Sequence, residues 1–373
     1  MQNPFIYGGI ATGENFADRE HELEELKRNL LSRKSVVLYS PRQMGKSSLV
    51  KELFLRLGAE VYHACVDVSA VESRHALANQ IVEEVVDSAY TKLDKLKKAV
   101  SELPDLLKSL RVSVVVTPEK EVKFEIARDI ASKEPLLGEI FDFAENLARR
   151  KGKRMLLAFD EFQDISDLDG IAIEKLMRSK FQYHKNVTYL FMGSKRHMLM
   201  RMFNDESRPF YKFSKPMELG RIPKQDFKKF ISNKFEKSGG RISDKVVEAI
   251  LNLTEAHPYF TQQLCYELWF ISKKVTDWAL VQNAIDKIIM HEKKNYLATM
   301  DSLTPLQRRF LRGLAMEGDV SVFSSDFMEK YELKTHSHVQ RLVKSLEKKG
   351  VLDDGKIVDI FFKEWLKRLG GEA

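Results

Sequence analysis

Apolar residues along the chain fall into two rhythms. Short apolar runs recur at residues 35–39 (SVVLY), 154–161 (RMLLAFDE), 186–194 (NVTYLFMGS) and 216–219 (PMEL), and a β-branched, alternating one at 60–68 (EVYHACVDV). Each reads as a strand, and 154–161 and 186–194 as buried ones. Between them the spacing relaxes to three or four residues. Helices are predicted over residues 45–57, over 73–103 on the spacing of Leu77, Ile81, Val85 and Tyr90, and over 136–150. Strands alternating with helices predict an α/β fold, a parallel sheet covered on both faces. RVSVVV (111–116) and EVKFEIA (121–127), separated by TPEK, read as a hairpin inserted into that alternation.

After Pro223 the pattern turns wholly helical, through QDFKKFISNKFEKSG, DKVVEAILNLTEA and HPYFTQQLCYELWFISKKV. It restarts near residues 297–311, with Pro305 in the first turn of a new helix. The expected division is therefore a core over 1–222, a helical subdomain over 223–296 and a third domain over 297–373. No internal repeat or low-complexity segment interrupts it.

The third domain has its own order. TPLQRRFLRGLAMEG (304–318), SSDFMEKYEL (324–333) and THSHVQRLVKSLEKKG (335–350) read as three helices, and VLDDGKIVDIFF (351–362) as a hairpin turning at Asp354 and Gly355. Helix, helix, helix, hairpin is the order of a winged helix, whose third helix is the one offered to a major groove. Val339, Leu342, Val343 and Leu346 fall on one face of that helix, and His338, Arg341, Lys344 and Lys348 on the other. Those four are the candidate contacts to double-stranded DNA. Asp353 and Asp354 in the wing would repel phosphate, and Glu347 breaks the basic face. A protein partner for this domain stays open beside DNA.

Composition changes this picture little. A chain of 373 residues, 43% hydrophobic and 31% charged, is expected to be soluble and globular. No apolar run approaches the ~20 residues needed to cross a bilayer. The opening MQNPFIYGGIATGENF lacks the basic and apolar regions of a secretory signal. Cys65 and Cys265 stand alone in apolar surroundings, which points to a reducing cytoplasm and away from disulfide or metal chemistry. The net charge of +7 is compatible with nucleic acid but does not select it.

The chemistry is carried by SVVLYSPRQMGKSSLVKEL (35–53). Between a strand and a helix it fits the phosphate-loop pattern G-x-x-x-x-G-K-[ST] except at its first position, Ser40. Pro41 biases Ser40 toward an extended backbone, which needs no glycine. The candidate nucleotide-binding residues are Ser40, Pro41, Arg42, Gln43, Met44, Gly45, Lys46, Ser47 and Ser48. Gly45 admits phosphate against the backbone, Lys46 reaches the β- and γ-phosphates, and Ser47 offers its hydroxyl to Mg²⁺. Asp160, near the end of the third of these apolar runs along the chain, is placed to orient a metal-bound water, while Glu161 is suited to polarise the attacking water. Ser194, at the end of FMGS, is a candidate sensor of the γ-phosphate and equally a helix cap. Arg196, Arg201 and Arg208 follow within a short span, and Arg208 is the preferred candidate for stabilising transition-state charge.

With these residues in view, nearly the whole chain resembles the archaeal-type predicted ATPases, on the AAA+/STAND side of the P-loop NTPases. NPFIYGG and FADREHELEEL (16–26) are similar to that family's opening and its F-x-x-R-E-x-E-L box, and YSPRQMGKSSL is similar to its phosphate loop, with Gln43 in place of the more typical arginine. SRPFYKFSKPMELGRIPKQDF (207–227) and TEAHPYFTQQLCYELW (254–269) resemble the segment after the sensor and the lid motif, with Ala256 where glycine is commoner. The resemblance implies a five-stranded core, ATP with Mg²⁺, a winged helix at the end, and Arg19 and Pro258 near the nucleotide. It also implies a nucleotide-controlled switch or a homo-oligomer. The expected function is Mg-dependent ATP binding and hydrolysis. An ATP-gated DNA-binding regulator with little hydrolysis, or a signalling scaffold, is the alternative.

Overall fold

The computed structural model describes residues 2–91, 94–95, 112–117, 121–126, 137–275, 277–318 and 321–371. The chain divides into two compact units. One spans Thr12–Gly220; the other joins the N-terminal segment to everything from Arg221 onward.

The first unit is built on five parallel strands. These are β1 (Val36–Tyr39), β2 (Tyr62–Asp67), β5 (Met155–Asp160), β6 (Val187–Gly193) and β7 (Lys215–Glu218), in the spatial order β2-β5-β6-β1-β7. The five apolar runs all became strands: the inner strands β1, β5 and β6 are buried along almost their whole length, while the edge strands β2 and β7 are partly exposed. Val36, Val37 and Leu38 are fully buried, as are Ala158, Phe159, Leu190 and Phe191. Helices α1 (Glu20–Leu31), α2 (Lys46–Leu57), α3 (Arg74–Ala89), α4 (Leu137–Lys151), α5 (Ser166–Phe181) and α6 (Arg196–Asn204) fill the spaces between strands. Two apolar clusters hold the sheet. Leu26, Leu49, Leu53, Leu156 and Leu190 form one; Ile81, Val85, Phe141, Phe159, Phe162 and Phe191 belong to the other, where Phe162 and Phe191 lie 4.5 Å apart.

α3 stops at Ala89, short of the helix expected to reach residue 103. Ser73 caps its start, and Tyr90 leaves it in an extended conformation. Residues 96–103 lie outside those described. The expected hairpin is present as β3 (Val112–Val116) paired antiparallel to β4 (Val122–Ile126).

The second unit is mostly helical: α7 (Lys224–Lys237), α8 (Asp244–Leu253), α9 (Pro258–Ile271), α10 (Trp278–Asp301), α11 (Pro305–Glu317), α12 (Ser325–Lys330), α13 (His336–Lys348) and α14 (Ile360–Gly371). It is not wholly helical, since β8 (Arg241–Ile242) pairs with β9 (Lys274–Val275). Phe5 packs against Phe235, and Tyr7 lies edge-on to Tyr259 and Tyr266, so the N-terminal segment belongs to this unit. α10 runs unbroken through residues 297–301, where the pattern suggested a fresh start. The turn falls at Ser302 and Leu303, and Thr304 then caps α11 with a reciprocal bond to Gln307.

The wing is shorter than the hairpin expected over 351–362. β10 (Leu352–Asp353) and β11 (Lys356–Ile357) are joined through Asp354 at φ 48° and Gly355 at φ 73°, both left-handed, as a tight hairpin turn requires. Residues 360–362 belong instead to α14. The Asp359 carboxylate accepts from the Phe361 and Phe362 N–H groups at 2.8 and 2.9 Å, which starts a helix where the apolar run IFF had suggested a strand.

Candidate functional site

Three neighbouring strands, β5, β6 and β1, deliver the candidate residues from their C-terminal ends. The loop after β1 turns through Gln43 at φ 61° and Gly45 at φ 88° before α2 begins. Gly45 is the position that needs glycine. Ser40 is absent from the left-handed positions and is fully buried, so a serine serves there without strain. Its hydroxyl takes part in the site, 3.2 Å from Lys46 Nζ. Lys46 also donates to the carbonyls of Ser40 at 3.2 Å and Pro41 at 3.5 Å. Burial pushes the Lys46 ammonium below its ordinary range, with Glu161 and Asp160 pulling the other way. A buried cation resting on neutral carbonyls is a group in want of an anion. Nothing lies within 4 Å of the Cβ position at Gly45, the N-cap of α2, so the start of that helix is open to a ligand on the glycine side.

Asp160 and Glu161 stand beside this loop and are engaged differently. Asp160 Oδ2 accepts from the Ser47 hydroxyl at 3.2 Å, and Oδ1 from the Glu161 N–H at 2.9 Å. Burial raises the Asp160 carboxyl. Glu161, at φ 46°, aims back across the strand ends. Its Oε2 accepts from Gln163 Nε2 at 2.7 Å, the Ser194 hydroxyl at 2.8 Å and the Ser194 N–H at 3.1 Å. Burial acts to raise the Glu161 carboxyl, but these donors outweigh it and hold it below the usual carboxylate range. The structure therefore brings Ser40, Lys46, Ser47, Asp160, Glu161 and Ser194 into one cluster.

A hydroxyl and a carboxylate 3.2 Å apart are hard oxygen donors of the kind Mg²⁺ takes, so the residues fit that ion. Among the described residues no group of three or more His, Cys, Asp or Glu side chains is placed to hold a metal alone. Magnesium delivered on phosphates needs only one or two protein oxygens.

The remaining candidates are placed elsewhere. Arg42 and Gln43 are exposed at the loop, Met44 is buried beneath it, and Pro41 and Ser48 are half-buried. Arg19 points under the loop: one terminal nitrogen donates to the carbonyls of Met44 and Gly220, the other to Glu22. Arg208, the preferred transition-state arginine, is paired with buried Glu174 and the Ser166 hydroxyl, away from any role as a free cation. Arg196 lies 3.5 Å from Glu218 and over the Tyr39 ring, and Arg201 is exposed near Asp205. In the second unit Pro258 is the first residue of α9, behind His257, whose ring accepts from the Tyr259 N–H. Ala256 sits at φ 54°, a left-handed backbone that suits glycine better than alanine. On α13, Arg341, Lys344 and Lys348 are exposed and His338 is half-buried. Glu347 accepts from the Gly355 N–H at 3.3 Å, so it supports the wing.

Gln163 was not foreseen. It is 1% exposed and holds Glu161 from below. The signal was present in DEFQDI, a polar residue between the buried Phe162 and Ile165. Gly193 makes room for it: a Cβ there would come within 2.0 Å of Gln163 Oε1.

Comparison with known proteins bears on the domains and the fold. Residues 15–191 match the AAA ATPase domain family, and residues 294–368 match a probable winged helix domain. No curated protein matches the sequence. Among solved structures, a Walker-type ATPase of Pyrococcus abyssi is similar over 98% of this chain and 99% of its own, at 17% identity and a TM-score of 0.66. The Aeropyrum pernix ORC2 protein in its ADP form is similar over 97% and 98%, at 13% identity and 0.55. The Aeropyrum pernix ORC1 protein in complex with DNA is similar over 95% and 93%, at 14% identity and 0.50. At these identities the likeness is one of fold. Among the described residues no helix is long and apolar enough to cross a membrane. The matches thus give a segment similar to the AAA ATPase domain over residues 15–191 and one similar to a probable winged helix domain over residues 294–368, and the parallel sheet flanked by helices is the fold shared with the Walker-type ATPase structure.

Proposed function

We propose that the protein is a Mg²⁺-dependent ATPase that binds and hydrolyses ATP and acts as a nucleotide-controlled switch. Its parts are a core over 1–222, whose first residues pack on the lid helices, a helical lid over 223–296 and a winged helix over 297–373. The observation that carries the reading is the convergence of Ser47, Asp160, Glu161 and Ser194 beside a phosphate loop whose buried lysine donates to the Ser40 and Pro41 carbonyls.

Lys46 leaves the Ser40 and Pro41 carbonyls for phosphate oxygens, where its charge is worth more than on neutral dipoles. Gly45 and the first N–H groups of α2 hold the phosphates against the backbone. Ser47 and Asp160 would hold Mg²⁺, which when bound neutralises charge on the phosphate oxygens. Glu161, kept ionised by its donors, accepts a hydrogen bond from the attacking water and orients it in line. Ser194 shares the Glu161 oxygen and so registers whether that carboxylate has turned to water.

Calorimetric titration with Mg-ATP tests the binding half. Lys46→Ala is expected to lose measurable affinity, and undiminished affinity would count against the loop as the site.

A second reading is supported by the exposed Arg341, Lys344 and Lys348 on α13. They form a row able to meet phosphates of double-stranded DNA, so that nucleotide state would set DNA affinity.

A further inference from the structure

Both places where the chain passes between its two units are tied to the phosphate loop or its helix. The crossings lie at residues 11–12 and 220–221. At the second, Arg19 Nη2 donates to the Gly220 carbonyl at 2.9 Å and to the Met44 carbonyl, inside the loop, at 3.0 Å. Nη1 donates to Glu22 at 3.0 Å and fixes the plane of the guanidinium, which is 3% exposed. At the first crossing, the Gly13 N–H donates to Glu52 Oε2 at 2.8 Å. Glu52 is a buried residue of α2, and its other oxygen is held by Arg56 at 2.9 Å.

One nitrogen thus spans two segments far apart in sequence, one the phosphate loop and one the exit from the sheet unit. A buried guanidinium cannot drop a partner without leaving charge or carbonyl unsatisfied. The Met44 carbonyl, Arg19 and the Gly220 carbonyl must therefore move as one. Glycine at both crossings leaves the backbone free to follow: Gly13 is at φ 56°, and nothing lies within 4 Å of the Cβ position of Gly220.

We infer that Arg19 and Glu52 couple occupancy of the phosphate loop to the geometry of both crossings, Arg19 being a positioning residue and not a ligand of the nucleotide. The inference rests on the nucleotide reading above. It assigns to two buried side chains the transmission that a nucleotide-controlled switch needs.

The test places spin labels at Tyr183→Cys in the sheet unit and Met290→Cys in the other, positions 74% and 67% exposed. Cys265 is fully buried, and Cys65, which is half-buried, is replaced by serine in the labelled background, so labelling is confined to the introduced residues. Distances are measured by double electron–electron resonance, without nucleotide and with saturating Mg-AMPPNP, occupancy being checked by bound stoichiometry. The parent should shift its distance distribution on binding. Arg19→Lys, which keeps the charge but not the planar fork, should remove most of that shift at full occupancy. Glu52→Gln probes the other crossing independently and should also reduce it. An undiminished shift in both variants, or no shift in a fully occupied parent, would overturn the coupling while leaving nucleotide binding in place. A parent that binds no Mg-AMPPNP would overturn the nucleotide reading and this inference together.

Discussion

Glu161 is the residue on which the account turns, and its setting is specific. Three donors at 2.7, 2.8 and 3.1 Å meet on one oxygen of a carboxylate held at a left-handed backbone position. Hydrogen bonds to a charged group are each worth about 1.5–3 kcal/mol, so the arrangement keeps Glu161 ionised and aimed. Gly193 underlies it, because any larger residue would displace Gln163 and touch Leu199. Gly193→Ala is therefore expected to destabilise the protein by about 1–3 kcal/mol, read by chemical denaturation. A change within error would mean that Gln163 is free to move. At this scale much was legible beforehand. Gly45, Lys46, Ser47, Asp160 and Glu161 announce themselves by spacing and by ending apolar strands. Arg208 did not: a short arginine-rich stretch cannot say which guanidinium is spoken for, and Glu174, its partner, lies 34 residues upstream on α5.

At the scale of elements, the inner strands were readable because double-sided burial leaves continuous apolar runs. Helix boundaries were less so. α14 was hidden because IFF suits a strand as well as a helix, and only Asp359 decides between them. That carboxylate also receives the Tyr296 hydroxyl at 3.3 Å, and burial, with Glu292 nearby, raises its pKa. A carboxyl whose pKa is higher in the folded state opposes folding once ionised. Wild-type stability should thus fall as pH rises from the ordinary aspartate value, about 3.9, toward the raised folded value, and then level off. Asp359→Asn still caps the helix but cannot ionise, so its stability relative to wild type should grow across that window. Asp359→Ala loses the cap as well as the ionisable group, and should lie about 1 kcal/mol below Asp359→Asn throughout. Denaturation followed by tryptophan fluorescence would show both, and parallel pH profiles for wild type and Asp359→Asn would contradict the argument.

For the whole molecule, the sequence pattern placed a winged helix after a helical region, and the family match over residues 294–368 agrees with it. The participation of the N-terminal segment in the second unit could not be read from the pattern, because Phe5 and Tyr7 meet partners more than 200 residues away. If α13 meets DNA phosphates, replacing Arg341, Lys344 and Lys348 by alanine should weaken duplex binding whatever its sequence. It should also lower the slope of log affinity against log salt by about 3. An unchanged slope would assign the domain to another partner.

The most direct test of the central claim is phosphate release from Mg-ATP by wild type and Glu161→Gln, with nucleotide occupancy measured in parallel. The account predicts steady turnover by wild type and a fall of about 10²–10⁴-fold in the variant at full occupancy. Equal turnover in both proteins, or none in a nucleotide-loaded wild type, would contradict it.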